Sequence, residues 1–181
     1  MWGEEALNYI NGMFAFALWD RKENTLLLAR DRYGIKPLYV SQQENIFAFG
    51  SEQKAILKIP GFKRKIDRAA LLEYFTFQNI FTNRTLLEDI KLFPAGHFAT
   101  LDLKTDNPAL KYSEYWDYSF QEPTESASYE EYQEELDRLF QQAVNRQLVS
   151  DVELGSYLSG GICLLYTSPS PRDATLSRMP S

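Results

Sequence analysis

Between residues 13 and 51 the chain alternates four short apolar segments with polar turns, and this alternation constrains the fold more than any other feature of the sequence. MFAFALWD (13–20), LLLAR (26–30), PLYV (37–40) and IFAFGS (46–51) each have strand length, and the breaks between them are short enough for hairpins. The spacing predicts an antiparallel meander. The first segment is continuously apolar and aromatic, the pattern of a strand buried on both faces. HFATLDL (97–103) sets Phe98, Thr100 and Asp102 against Ala99, Leu101 and Leu103 and predicts a further strand. The stretch 78–93 reads as loop-rich.

Helices are fewer. EEALNYI (4–10) reads as the end of a helix that stops at Asn11-Gly12, and EQKAILK (52–58) as one or two turns broken by Pro60-Gly61. Asp67 caps RAALLEYFTF, in which Ala70, Leu71, Tyr74 and Phe75 share a face expected to pack on the sheet. Residues 116–127 are polar and acidic, and a linker is placed at 121–127. Ser128 with Glu131 makes a capping box for a helix that reaches about residue 149, with Tyr132, Leu136, Leu139, Phe140, Ala143, Val144 and Leu148 on one face. Residues 151–158 then read as a strand leading into Ser159-Gly160-Gly161, the way an α/β sheet presents a phosphate loop. From Cys163 onward the periodicity is lost, and Pro169 and Pro171 oppose the helix that should follow such a loop.

Composition removes several classes of function. A 44% hydrophobic, 24% charged chain of 181 residues is that of a globular protein. Its net charge of -6, with a longest basic cluster of only Lys63, Arg64 and Lys65, argues against a nucleic-acid footprint. No run approaches the roughly 18 apolar residues of a membrane span, so a cytoplasmic location is expected. A single cysteine, Cys163, permits no disulfide within the chain and no Cys-rich metal site, and no metal ligands are assigned. The one histidine, His97, follows Pro94-Ala95-Gly96 and reads as a turn histidine bonded to backbone. Tyr112, Tyr115, Trp116, Tyr118 and Phe120 lack interleaved basic residues and read as interdomain packing rather than base stacking. The acidic stretch 129–135 reads as a solvated helix face.

Two segments carry candidate chemistry. In ARDRYGIKPLY (29–39), Gly34 frees a turn, Pro37 directs the next strand, and Arg30, Asp31, Arg32 and Lys36 can form ion pairs around it. On physical grounds alone this is a stabilised connection between strands. In LSGGI (158–162), two glycines after a strand let backbone N–H groups point at a pyrophosphate, and Ser159 adds a hydroxyl donor.

The order NGMFAFALWD, ARDRYGIKPLY and FGSEQKAIL, followed by PAGH, YWDY and LVSDVELGSYLSGG, resembles the glutamine-hydrolysing asparagine synthetase family over about residues 2–162. The resemblance implies an α+β fold: residues 1–120 as the later part of a layered N-terminal-nucleophile (class II) glutamine amidotransferase domain, a linker at 121–127, and residues 128–162 as the first helix and strand of an α/β ATP-pyrophosphatase (PP-loop) domain. It implies a parent reaction in which glutamine supplies ammonia and ATP activates aspartate, with glutamine, aspartate and ATP as substrates, Mg²⁺ as cofactor and a homodimer as a possible assembly. By the same resemblance Leu158, Ser159, Gly160 and Gly161 contact ATP, while Arg30, Asp31 and Gly34 are scaffold residues of the glutaminase site, not catalysts. The family's nucleophile is an N-terminal cysteine. Met1 is followed here by Trp2, so no catalytic residue is assigned and the chain is expected to be an inactive fragment. The family pattern continues after Ile162 with aspartate and serine where this chain has Cys163 and Leu164, and residues 163–181 resemble an artefactual, disordered tail. A related amidotransferase or β-lactam synthetase acting on another carboxylate, and a non-catalytic binding protein of the same fold, are the alternatives.

Overall fold

The computed structural model describes residues 2–43, 46–105, 108–122 and 127–155. The chain divides into two compact units, Met1–Glu122 and Pro123–Ser181. The first holds a 3-10 turn, Gly3–Glu5, running into α1 (Ala6–Tyr9), then β1 (Ala15–Asp20), β2 (Thr25–Arg30), β3 (Tyr39–Gln43), β4 (Ile46–Gly50), α2 (Gln53–Ile56), α3 (Arg68–Phe77), β5 (Ile90–Leu92), β6 (His97–Asp102) and β7 (Lys111–Glu114).

The expected strands form, but not as one meander. Their pairing is wholly antiparallel and builds two sheets among the described residues, a four-stranded sheet in the order β1-β2-β6-β7 and a three-stranded sheet in the order β4-β3-β5. β1 and β2 form one hairpin, closed where the Asp20 carboxylate accepts the Lys22 and Glu23 N–H groups at 2.8 and 3.1 Å and Asn24 takes a positive φ of 52°. β3 and β4 form a second hairpin. The chain leaves the first sheet after Arg30 because the other edge of β2 is taken by β6, which lies some seventy residues later. Leu28 and Ala99 from the first sheet meet Val40 from the second, with Leu38 and Phe93 between them, and this cluster is the main core. A smaller cluster of Ala48, Ile56 and Ile90 seats α2 on the second sheet.

Two further expectations are corrected. MFAFALWD is not buried on both faces: β1 is an edge strand, and Ala17, Leu18, Trp19 and Asp20 are exposed. A continuous apolar run meets the needs of a buried strand, but burial depends on neighbours, and none of the described residues covers this one. The stretch 78–93 is mostly loop, as expected, and within it β5 completes the second sheet with three residues; β7, with the sequence KYSE and every residue exposed, has no apolar alternation that would mark it. The face of α3 carrying Leu71, Tyr74 and Phe75 does not pack on a sheet, because Ala70 is the helix's one buried residue and Tyr74 and Phe75 are exposed.

The cap of α3 is as expected. Asp67 Oδ1 accepts the Ala69 and Ala70 N–H groups, each at 3.0 Å, and Arg84 Nη1 binds Oδ2 at 2.9 Å with Lys91 Nζ at 3.6 Å. The Ala70 N–H, aided by Arg84 and Lys91 against the opposing effect of burial, holds the Asp67 carboxyl below its usual pKa. A folded-state pKa below the unfolded one contributes stability above the unfolded value, which is lost as pH falls through the folded value. Asp67→Asn keeps a capping oxygen but not the charge. Denaturant titrations should show the parent more stable at neutral pH, with the difference closing as pH drops below about 3.9, the ordinary aspartate value. A gap that stays constant across this range would mean that the charge contributes nothing.

In the second unit, α4 (Tyr129–Gln147) begins with the expected capping box: the Glu131 N–H donates to Ser128 Oγ at 3.2 Å and the Ser128 N–H donates to Glu131 Oε2 at 2.8 Å. The stretch 129–135 is exposed, as its acidity suggests, and the apolar face of α4 is exposed as well. The strand expected from residue 151 is absent over 151–155, and its continuation lies outside the described residues. So do most of the expected linker, LSGGI with Leu158, Ser159, Gly160 and Gly161, and the stretch 163–181 with Cys163.

Candidate functional site

The loop after β2 is built around one carboxylate. Asp31 is 1% exposed, and both its oxygens face backbone N–H groups. Oδ1 accepts from Tyr33 at 3.2 Å and Ile35 at 2.9 Å, and Oδ2 accepts from Lys36 at 3.0 Å and Phe14 at 3.2 Å. The loop is thereby wrapped around its own side chain, and the last contact ties it to the segment entering β1. The backbone of Asp31 is equally engaged: its N–H donates to Phe14 O, and its carbonyl accepts from Gly34 at 3.0 Å and Gly96 at 3.0 Å.

Arg30 performs the complementary task. Its guanidinium donates to three carbonyls, Lys36 O at 2.8 Å, Phe93 O at 2.5 Å and Gly34 O at 2.6 Å. Asp31 therefore collects donors and Arg30 collects acceptors, and the expected ion pairing within the loop gives way to side-chain to backbone bonds. Such loop geometry leaves buried N–H and C=O groups that only a charged, multidentate side chain can satisfy. Burial lowers the Arg30 pKa, partly offset by Asp31 and Tyr39, and a guanidinium stays protonated throughout the accessible range.

Gly34 has a φ of +63°, and a Cβ there would lie 2.9 Å from Arg30 Cζ and 3.1 Å from Ala95 Cβ. Sequence reasoning thus placed Arg30, Asp31 and Gly34 in one loop, and the structure brings all three into contact. It missed the residues that close the loop from outside. Gly96, with a φ of +65°, accepts the Tyr115 and Trp116 N–H groups at its carbonyl, at 2.9 and 3.2 Å. Tyr115 Oη then donates to Arg30 O at 2.9 Å. Burial first and Asp31 second raise the Tyr115 pKa, which keeps this phenol a donor. The only sequence signal for these positions was the recurrence of PAGH and YWDY in the motif order, which named segments but not contacts. His97 Nδ1 lies 2.7 Å from Ala95 O, the backbone-bonded turn histidine that was expected. Tyr33 and Trp116 meet edge-on at 5.1 Å, and Trp116 meets Tyr118 at 4.8 Å, so these aromatics pack within the first unit.

Chemically this is a rigid platform. Every lone pair direction of Asp31 is occupied and the Arg30 donors are fixed, so neither group is free to move a proton or attack a substrate. What the platform presents outward is Tyr33, Ile35 and Lys36, all exposed. Among the described residues no group of three or more His, Cys, Asp or Glu side chains could hold a metal ion, and no helix is long and apolar enough to cross a membrane.

The family model for a glutamine amidotransferase domain matches residues 1–116, a stretch that includes the whole platform. The chain belongs to the glutamine amidotransferase domain family. A second family model, asparagine synthase, matches residues 135–162. Beyond the amidotransferase match, the chain is similar to asparagine synthetase [glutamine-hydrolyzing] 3 of Bacillus subtilis, 39% identical over 162 residues that cover 89% of this chain and 25% of that protein. It is 33% identical to asparagine synthetase [glutamine-hydrolyzing] 1 of the same organism, over 88% of this chain and 24% of the relative. A putative asparagine synthetase [glutamine-hydrolyzing] 2 of Methanocaldococcus jannaschii is 30% identical, over 88% and 31%. The chain thus spans about a quarter to a third of the length of these curated relatives.

Proposed function

We propose that this chain is a portion of a glutamine-dependent asparagine synthetase, which joins ammonia released from glutamine to aspartate at the expense of ATP. What supports the reading is the order of the two family matches on one chain, amidotransferase at 1–116 and asparagine synthase at 135–162. In this reading residues 1–120 belong to the glutaminase domain, 121–127 link it to the next, 128–162 begin the ATP-using domain, and 163–181 belong to neither. Arg30, Asp31 and Gly34 hold the platform beside the glutaminase site without touching the reacting atoms. Leu158, Ser159, Gly160 and Gly161 contact ATP, the glycines because a side chain there would obstruct the approach of phosphate to backbone N–H groups. Cys163 and Leu164 carry no side-chain oxygen where the family pattern has aspartate and serine, so neither side chain offers a hard Mg²⁺ ion the ligand that an aspartate would. A cytoplasmic homodimer is the assembly that goes with this reading.

The test is a chimera in which residues 2–162 replace the equivalent stretch of the Bacillus subtilis asparagine synthetase 3. Asparagine should form from aspartate, glutamine and ATP. Gly161→Val in that chimera should abolish ATP-dependent amide formation while glutamine hydrolysis continues. A chimera that hydrolyses glutamine and consumes ATP but makes no asparagine would assign the chain to an amidotransferase with a different acceptor.

A further inference from the structure

Residues 54–91 hold eight Lys and Arg side chains against four Asp and Glu, in a chain whose net charge is -6. The tertiary structure gathers several of these cations in one place. Lys65, Arg68, Arg84 and Lys91 line a cavity of ≈ 480 Å³ together with Asp67 and Glu88, so four cations face two carboxylates. No residue of the Arg30 and Asp31 loop lines it.

The cluster is short of negative charge. Arg84 and Lys91 are partners in an antiparallel bridge, beside the Leu92 N–H bond to Asn83 O at 2.9 Å, and like charges set directly opposite one another repel. One anion stands between them: Asp67 Oδ2 lies 2.9 Å from Arg84 Nη1 and 3.6 Å from Lys91 Nζ. A single carboxylate balances only one of the two. The other oxygen of Asp67 takes the Ala69 and Ala70 N–H groups, so the N-terminus of α3 is already satisfied and the excess positive charge belongs to side chains. Arg68 adds a third cation, near enough to Lys65 to repel it, and has no ion-pair or hydrogen-bond partner among the described residues. Lys65 binds Glu88 at 2.5 Å, but both side chains are exposed, and such pairs hold their partners weakly. Lys65 is therefore able to turn to a more highly charged anion.

We propose that this cavity binds a small phosphate-bearing anion between the Arg68 and Arg84 guanidinium groups and the Lys65 and Lys91 ammonium groups. A phosphate group brings close to the two negative charges that the cluster lacks, and guanidinium forks meet its oxygens in pairs. The volume lies within the range of small-ligand sites. A nucleic acid is the poorer match, because four cations around one cavity make no track along a phosphate backbone. This site is distinct from the ATP contact proposed at residues 158–161 and does not depend on it.

Equilibrium dialysis of the 181-residue chain against sodium pyrophosphate, in magnesium-free buffer at constant ionic strength, should show saturable binding at one site. Arg68→Gln and Lys91→Gln should each weaken it about tenfold. Glu88→Gln removes the carboxylate that competes for Lys65 and should tighten it about threefold, with the parent's circular dichroism. Inorganic phosphate and AMP as competitors distinguish the sources of the phosphate group. Displacement by AMP at lower concentration than by phosphate supports a nucleotide as the ligand, and the reverse order supports the free anion. No saturable uptake of any of the three would overturn the proposal. So would binding that Glu88→Gln weakens, or binding that survives Arg68→Gln and Lys91→Gln but is lost in Gly161→Val, which would place it at residues 158–161.

Discussion

Replacing Asp31 with alanine should unfold the first unit, or lower its stability by about 4 kcal/mol or more, the largest effect expected of any single side-chain truncation in it. The carboxylate accepts four backbone N–H groups, from Phe14, Tyr33, Ile35 and Lys36. Each buried donor left without a partner costs about 1–3 kcal/mol, and water can reach only some of them in a loop this tightly closed. The total stability of a domain is only about 5–15 kcal/mol. Asp31→Asn should fall between the two, because it keeps one acceptor oxygen but turns an amide N–H₂ toward two N–H donors. Urea denaturation followed by tryptophan fluorescence would measure all three proteins. If Asp31→Ala lies within about 1 kcal/mol of the parent, the loop is held by other contacts and the carboxylate is incidental.

The second large effect is expected at Gly96, and a series of glycine substitutions separates its causes. Gly61 has a φ of +81° with open space where a Cβ would go, so Gly61→Ala should lose only the conformational cost, about 1 kcal/mol. At Gly34 the new methyl meets the Arg30 guanidinium, which three hydrogen bonds hold in place, so Gly34→Ala should cost about 2–3 kcal/mol. At Gly96 the methyl would run into the backbone carbonyl oxygen of Trp116, which cannot move without breaking the Tyr115 and Trp116 bonds to Gly96 O. Gly96→Ala should therefore cost about 4 kcal/mol or more and release Tyr115 from Arg30. Thermal unfolding would rank the variants. Equal losses at Gly34, Gly61 and Gly96 would show that φ alone decides and that the close approach to Trp116 does not matter.

The amidotransferase motifs were legible because their residues are contiguous. ARDRYGIKPLY holds Arg30, Asp31 and Gly34 within five positions, and the Asp31 carboxylate finds most of its donors within the next five residues. The partners that complete the platform are remote. Phe93 O lies 63 residues from Arg30 and Tyr115 lies 85 residues from it, and no local pattern announces such a bond. The same holds for β7, which pairs with β6 although nothing in KYSE demands burial.

By itself the sequence determined what depends on near neighbours: the hairpin of β1 and β2, the Asp67 cap, the Ser128 and Glu131 capping box, and the turn histidine at 97. Caps and turns are settled by side chains reaching backbone groups two to four residues away, so the order of residue types carries the answer. Only the tertiary structure decided that the four early strands divide between two sheets, that β1 stands at an edge, and that Tyr115 and Gly96 lock the Arg30 loop. Those outcomes depend on which distant segment wins each strand edge and each buried polar group, a competition settled by packing over the whole unit rather than by local propensity.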